Sequence, residues 1–153
     1  MINPPTMETL LTEQAALVLK RFDYAVAWQI GAAIQAAASE RNLPIGIEIS
    51  HGATPVFLAL MPGATPDNAD WLRRKRAVAL RFHQSSLYMR LLCESKDVNF
   101  HARYRLPERD FAASGGGVPI FVRDVGVVGA VAVSGLPDVE DHRLVVSALQ
   151  QLA

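Results

Sequence analysis

Ile45-Gly46-Ile47-Glu48-Ile49-Ser50-His51-Gly52-Ala53-Thr54-Pro55-Val56-Phe57-Leu58-Ala59-Leu60 is the stretch on which the fold turns. Ile45, Ile47 and Ile49 alternate with Gly46 and Glu48, the two-residue period of a strand with one face on a core. Pro55 to Leu60 is its partner, and Ser50 to Thr54 leaves room only for a hairpin connection. A hairpin makes the pair antiparallel. The same pattern returns near the C-terminus. Ser114-Gly115-Gly116-Gly117 leads into a strand at Val118 to Val122, Arg123-Asp124 forms a turn, and Val125 to Ser134 follows as a continuously apolar strand, hence one covered on both faces.

Helical signals fill the intervals. Thr6 caps a short helix that runs to about Ala16, with Glu8 in its first turn. Leu17-Val18-Leu19 is compatible with an extension of that helix or with a brief strand. Asp23 caps a second helix in which Val26, Ile30, Ala33, Ile34 and Ala37 recur at helical spacing up to Asn42, with Pro44 beyond. Asp67 or Asn68 caps a long helix from about Ala69 to Glu94. Asn99 to Ala113 is polar and irregular, with helix expected near Glu108 to Phe111. Gly135 to Asp138 opens a last helix, with Pro in its first turn, Glu140 and Asp141 at the positive end of its dipole, and Val145, Val146 and Leu149 inward. The order of helices, hairpin, long helix, hairpin and helix predicts an α+β fold: a largely antiparallel central sheet flanked by helices.

The composition narrows the function classes. Of 153 residues, 50% are hydrophobic and 20% charged, and 15 basic residues balance 15 acidic ones. That balance argues against a generally basic nucleic-acid binder and against an acidic disordered tail. The lone Cys93 has no partner for a disulfide within the chain, which suits a reducing compartment. Met1 to Thr6 lacks the basic start and apolar run of a signal peptide, and no stretch of about 18 apolar residues exists. A cytoplasmic protein without membrane or nucleic-acid partners is expected.

Three motifs follow one another in the last third: Gly116-Gly117-Val118-Pro119-Ile120; Gly126-Val127-Val128-Gly129-Ala130-Val131-Ala132-Val133-Ser134-Gly135; and Asp141-His142. This series resembles the haem-degrading-domain superfamily, the GlcG/HbpS-like proteins. Trp71-Leu72-Arg73-Arg74-Lys75, Arg81-Phe82 and Ser85-Ser86-Leu87 resemble its branch called uncharacterised protein family 0303. The resemblance runs from about Asp23 to the end, which makes residues 1–153 one domain with 1–22 as an N-terminal extension. It implies a profilin-like sandwich assembled into homodimers or larger rings. It also brings in haem as a ligand, which no spacing in the chain does by itself. GlcG-like members commonly carry Asp after the first strand, where this chain has Ser50-His51-Gly52, so a ligand role of that Asp is not carried over.

The residues themselves offer one tentative site. Trp71, Val78, Phe82 and Met89 form an apolar stripe at three- and four-residue steps, and Lys75 and Ser85 fall on it. An inward lysine needs a route to solvent or an anionic partner, for which Glu48 and Asp70 are the nearest choices within the chain and a bound anion is the alternative. Gly115, Gly116 and Gly117 could cradle an anion with backbone N–H groups or simply allow close backbone approach. His51, beside Gly52 in a hairpin loop, is the histidine placed to edge a pocket. Ligand-binding candidates are therefore Lys75, His51, Ser85, Gly115, Gly116 and Gly117, with a small anion as their ligand. The histidines fall in no metal-binding or catalytic spacing, and His142 is expected at a surface or interface. Three functions stay open: a non-enzymatic oligomeric module that binds a small ligand or a protein, a haem-binding or haem-degrading protein, and an enzyme on a small anionic substrate.

Overall fold

The computed structural model describes residues 3–153. Thr6 caps α1 (Met7–Ala15), and Asp23 caps α2 (Tyr24–Glu40) by accepting the Val26 N–H. The hairpin β1 (Gly46–His51) and β2 (Thr54–Leu60) follows, then α3 (Pro66–Phe82), α4 (Ser86–Ser95) and the short α5 (Phe100–Tyr104). The second hairpin is β3 (Gly117–Val122) and β4 (Gly126–Ser134), and α6 (Asp138–Gln150) ends the fold. The strands form one antiparallel sheet in the order β2-β1-β4-β3. The α+β class and the helix-flanked antiparallel sheet are as the sequence predicts.

Strand periodicity separates the two sheet faces. Ile47 and Ile49 of β1, Val118 and Ile120 of β3, and Val131 and Val133 of β4 point one way. There they meet Val26, Ile30 and Ile34 of α2 and Val145, Val146 and Leu149 of α6 in the main core. The other face is built from small residues, Gly46, Ser50, Ala130, Ala132 and Gly117, and α3 lies close against it. A Cβ on Gly117 would press into the Lys75 backbone of α3, so glycine there sets the helix-to-sheet distance. A second cluster, Val78, Met89, Cys93, Phe100 and Leu106, holds α4 and α5 under the end of α3.

Several local expectations are corrected. The long helix from Ala69 to Glu94 is two helices. Its N-cap is Thr65, with Pro66 in the first turn, and it stops at His83, which takes a left-handed backbone (φ 54). Ser85 then caps α4 by accepting the Tyr88 N–H. Helix expected near Glu108 to Phe111 forms instead at Phe100–Tyr104, where Asn99 accepts the Ala102 N–H. Leu19 makes a parallel bridge to Val122 as a single strand-like residue. The last strand opens at Gly126, leaving Val125 exposed in the turn. His142 is buried, its Nε2 2.7 Å from Glu13 Oε1 of α1.

One contact joins the two helix layers around the end of the sheet. Lys75 of α3 donates from Nζ to Val133 O (3.0 Å) and to Asp141 Oδ2 of α6 (3.1 Å). Lys75 is 3% exposed and Asp141 1%. The same carboxylate accepts the N–H groups of Gly135 and Leu136, which shape the turn between β4 and α6. Gly116 crosses directly beside this pair at φ +132, and a Cβ there would collide with Val133 O and stand 2.9 Å from Lys75 Nζ.

Removing one partner of a buried ion pair strands the other charge, so Lys75→Met should lower the unfolding free energy by roughly 3–5 kcal/mol in urea titrations. Adding Asp141→Asn, which keeps an acceptor for Gly135 and Leu136, should restore part of that loss. A Lys75→Met protein within about 1 kcal/mol of wild type would contradict this account of the contact. Gly116→Ala meets both a steric clash and an unfavourable φ, and should cost about 2 kcal/mol or more in the same measurement.

Candidate functional site

The six residues singled out in the sequence fall at separate places. Lys75 and Gly115 to Gly117 come together at the end of the sheet where β4 finishes. With Asn68, Trp71, Ser114, Ser134, Leu136, Asp138 and Asp141, Lys75 lines a shallow depression of about 240 Å³ there. The anionic partner of Lys75 is Asp141. Neither acid nearest at hand in the sequence is free for it: Glu48 is paired with Arg76 at 2.7 Å, and Asp70 with Arg73 and Arg74. Burial pulls the Lys75 ammonium below its usual range and pushes the Asp141 carboxyl up, each opposed by the other's charge.

Around this pair two N–H groups of the glycine loop are engaged within the chain. Gly115 N–H donates to Asp138 Oδ2 (2.9 Å), and Gly117 N–H to Ser86 Oγ (2.9 Å). Asp138 also accepts from Arg90 Nε at 2.8 Å. Asp138 thus stands where an anion would meet Gly115, the Ser86 hydroxyl where it would meet Gly117, and Asp141 where it would meet Lys75. Ser85 is buried and spent on its capping bond. Its neighbour Ser86 is the hydroxyl that touches the glycine loop, a role that becomes legible only once the helix break at His83 is known.

His51 stands at the opposite end of β1 from Gly46, five residues or about 16 Å along the strand. Gly46 pairs with Ser134 beside the Lys75 cluster, whereas His51 pairs with Gly129. His51 is exposed between two aromatic rings, with centroids 6.1 Å away at Phe22 and 5.9 Å away at Tyr24. Phe22, Asp23, Tyr24 and His51 line a cavity of about 330 Å³. The Asp23 carboxylate in its wall is already engaged by Val26 N–H and Arg21. His101 and His142 spend a ring nitrogen on Leu106 O and Glu13. Among the described residues His51 makes no such bond, and its exposed ring stands in an aromatic setting. Phe22 and Tyr24 carry no motif that would mark them in the sequence. The sole local signal was their position around the Asp23 cap, and only the fold brings that cap beside the first hairpin.

Among the described residues no group of three His, Cys, Asp or Glu side chains comes together as a metal site, and no helix is long and apolar enough to cross a membrane.

Comparison with known proteins places this geometry. A UPF0303 protein from Serratia proteamaculans is 41% identical over 143 residues, 94% of this chain and 89% of that protein. The crystal structure of the Ybr137w protein superposes with a TM-score of 0.87 at 30% identity, covering 97% of this chain and 88% of the other. A PduOC–haem complex shares the fold at 16% identity, with a TM-score of 0.72 over 84% of this chain and 92% of that one. The family model described as "Haem degrading protein HbpS-like" matches residues 22–150, from the start of the aromatic mouth to the end of α6. The chain is a member of the HbpS-like haem-degrading family, in the branch of relatives that carry the UPF0303 name.

Proposed function

We propose that this protein is a non-enzymatic, oligomeric ligand-binding module of the HbpS-like type, and that its ligand seat is the aromatic mouth around His51. The observation that carries this reading is the imidazole set between Phe22 and Tyr24 with no hydrogen bond of its own among the described residues. Such a setting suits a flat, largely apolar ligand that accepts a nitrogen donor. Ring faces supply apolar contact area, and the imidazole supplies direction.

Haem is the member of that class to which the family description and the PduOC–haem neighbour point. The residues present fit it. His51 would provide a nitrogen ligand, and Phe22 and Tyr24 would provide apolar surface for the macrocycle. When bound, haem supplies an iron centre whose properties are tuned by that nitrogen and by exposure to water. The mouth is open and built from few residues, so binding there is weaker than in an enclosed pocket. Support for the non-enzymatic part comes from the other end of the sheet, where Lys75 and Ser85 are both committed to structural contacts. Among the described residues neither is hydrogen-bonded to a histidine.

Titration with haemin, followed by the Soret band, tests the seat. Wild type should show a saturable shift that His51→Ala abolishes and Tyr24→Ala weakens several-fold, while His83→Ala, which removes another exposed histidine, leaves it unchanged. A shift that survives in His51→Ala would remove the mouth as the seat. Wild type without any shift would remove haem as the ligand.

A further inference from the structure

We infer that a second copy of this chain pairs with the free edge of β2, antiparallel about a two-fold axis at Ala59, so that two four-stranded sheets become one. This rests on the oligomeric reading above and names its interface. The sheet has two edges, and among the described residues they differ. Along β3 the chain blocks its own edge in part: Gly117 N–H donates to Ser86 Oγ, Pro119 has no N–H, and Leu19 donates its N–H to Phe121 O and accepts from Arg123 N–H. At β2, among the described residues, no strand lies on the outer side.

The open edge can form a ladder. Met61 N–H donates to Ile45 O, and the register continues through Leu60↔Gly46, Ala59↔Ile47 and Leu58↔Glu48. Alternation along an antiparallel ladder then turns the N–H and C=O groups of Leu58 and Leu60 away from β1. Edge strands are usually guarded by charge, yet Thr54–Leu60 contains no charged residue. Leu58 is 55% and Leu60 44% exposed, on the α3 side of the sheet beyond the part that α3 covers. On the other face exposed Trp28 stands edge-on to Phe57 at 5.0 Å.

Symmetry favours an identical partner. In a two-fold contact on the axis, each charge meets its own kind, so self-pairing requires a neutral edge. The nearest charges, Glu48 opposite Leu58 and the Arg76 that pairs with it, cancel at 2.7 Å. An axis at Ala59 sets Leu58 against Leu60 of the partner subunit, and reciprocally, so the outward N–H and C=O groups satisfy one another. It also places the two small Ala59 side chains across a non-hydrogen-bonded pair, the closer of the two antiparallel spacings.

Sedimentation of the full chain tests the assembly, and cysteine cross-linking tests the axis. Leu58→Lys should weaken association at least about tenfold with the helical signal and melting temperature retained, because the residue is exposed. Ala59→Cys should form a covalent dimer under mild oxidant, and Thr12→Cys on the exposed side of α1 should not. Should Leu58→Lys fail to fold, the Ala59→Cys cross-link decides alone. A wild type that sediments as a monomer at micromolar concentration overturns both this interface and the oligomeric reading. Assembly that persists in Leu58→Lys, or Ala59→Cys chains that do not cross-link, overturns the β2 interface alone.

Discussion

A buried ammonium must be given its hydrogen bonds, and in this protein that demand organises one whole end of the sheet. Lys75 reaches from α3 past the end of β4 to Val133 O and Asp141, so a single cation binds a strand carbonyl, a helix start and, through the Asp141 carboxylate, the Gly135-Leu136 turn. Such a pair adds little net stability over an apolar contact of the same volume. What it does is constrain. Neither helix layer can shift along the sheet without leaving a charge unpaired, and the loop before β3 can pass only as glycine.

The consequence is a molecule with two unlike ends. At the Lys75 end the charges that line the depression are matched inside the chain: Asp138 by Arg90 and the Gly115 N–H, Asp141 by Lys75. Its depression is lined by groups already engaged with one another. The His51 end has the opposite character. There the hairpin tip and the approach to α2 meet as aromatic surface around one imidazole. A ligand can gain contact there without displacing an internal bond.

The same contrast separates what was legible in the chain from what was not. Alternation in Ile45–Ile49 and the turn residues after it were enough for the first hairpin, and Thr6 and Asp23 announced their helices by side chains that bond within three residues. Glycine, proline and serine clusters placed the second hairpin. The break at His83 was not legible, because the residue takes a left-handed backbone without being glycine, and Ser85 as a cap looks like Ser85 within a helix until the chain before it is seen to stop. Lys75 announced by its place on an apolar stripe that it needed a partner, but several acids were available to it in the chain.

Sequence by itself determined the class of fold, both hairpins and most of the helices, because strand alternation, helix caps and turns are decided by neighbours a few residues apart. Tertiary structure alone decided the partnerships: Asp141 rather than Glu48 or Asp70 for Lys75, the chain's own Asp138 and Ser86 as acceptors for the glycine loop, and Phe22 and Tyr24 as the walls around His51. These depend on which elements the sheet order β2-β1-β4-β3 brings to each end. The residues that meet there, such as Lys75 and Asp141, are 66 positions apart, and no local rule reaches so far.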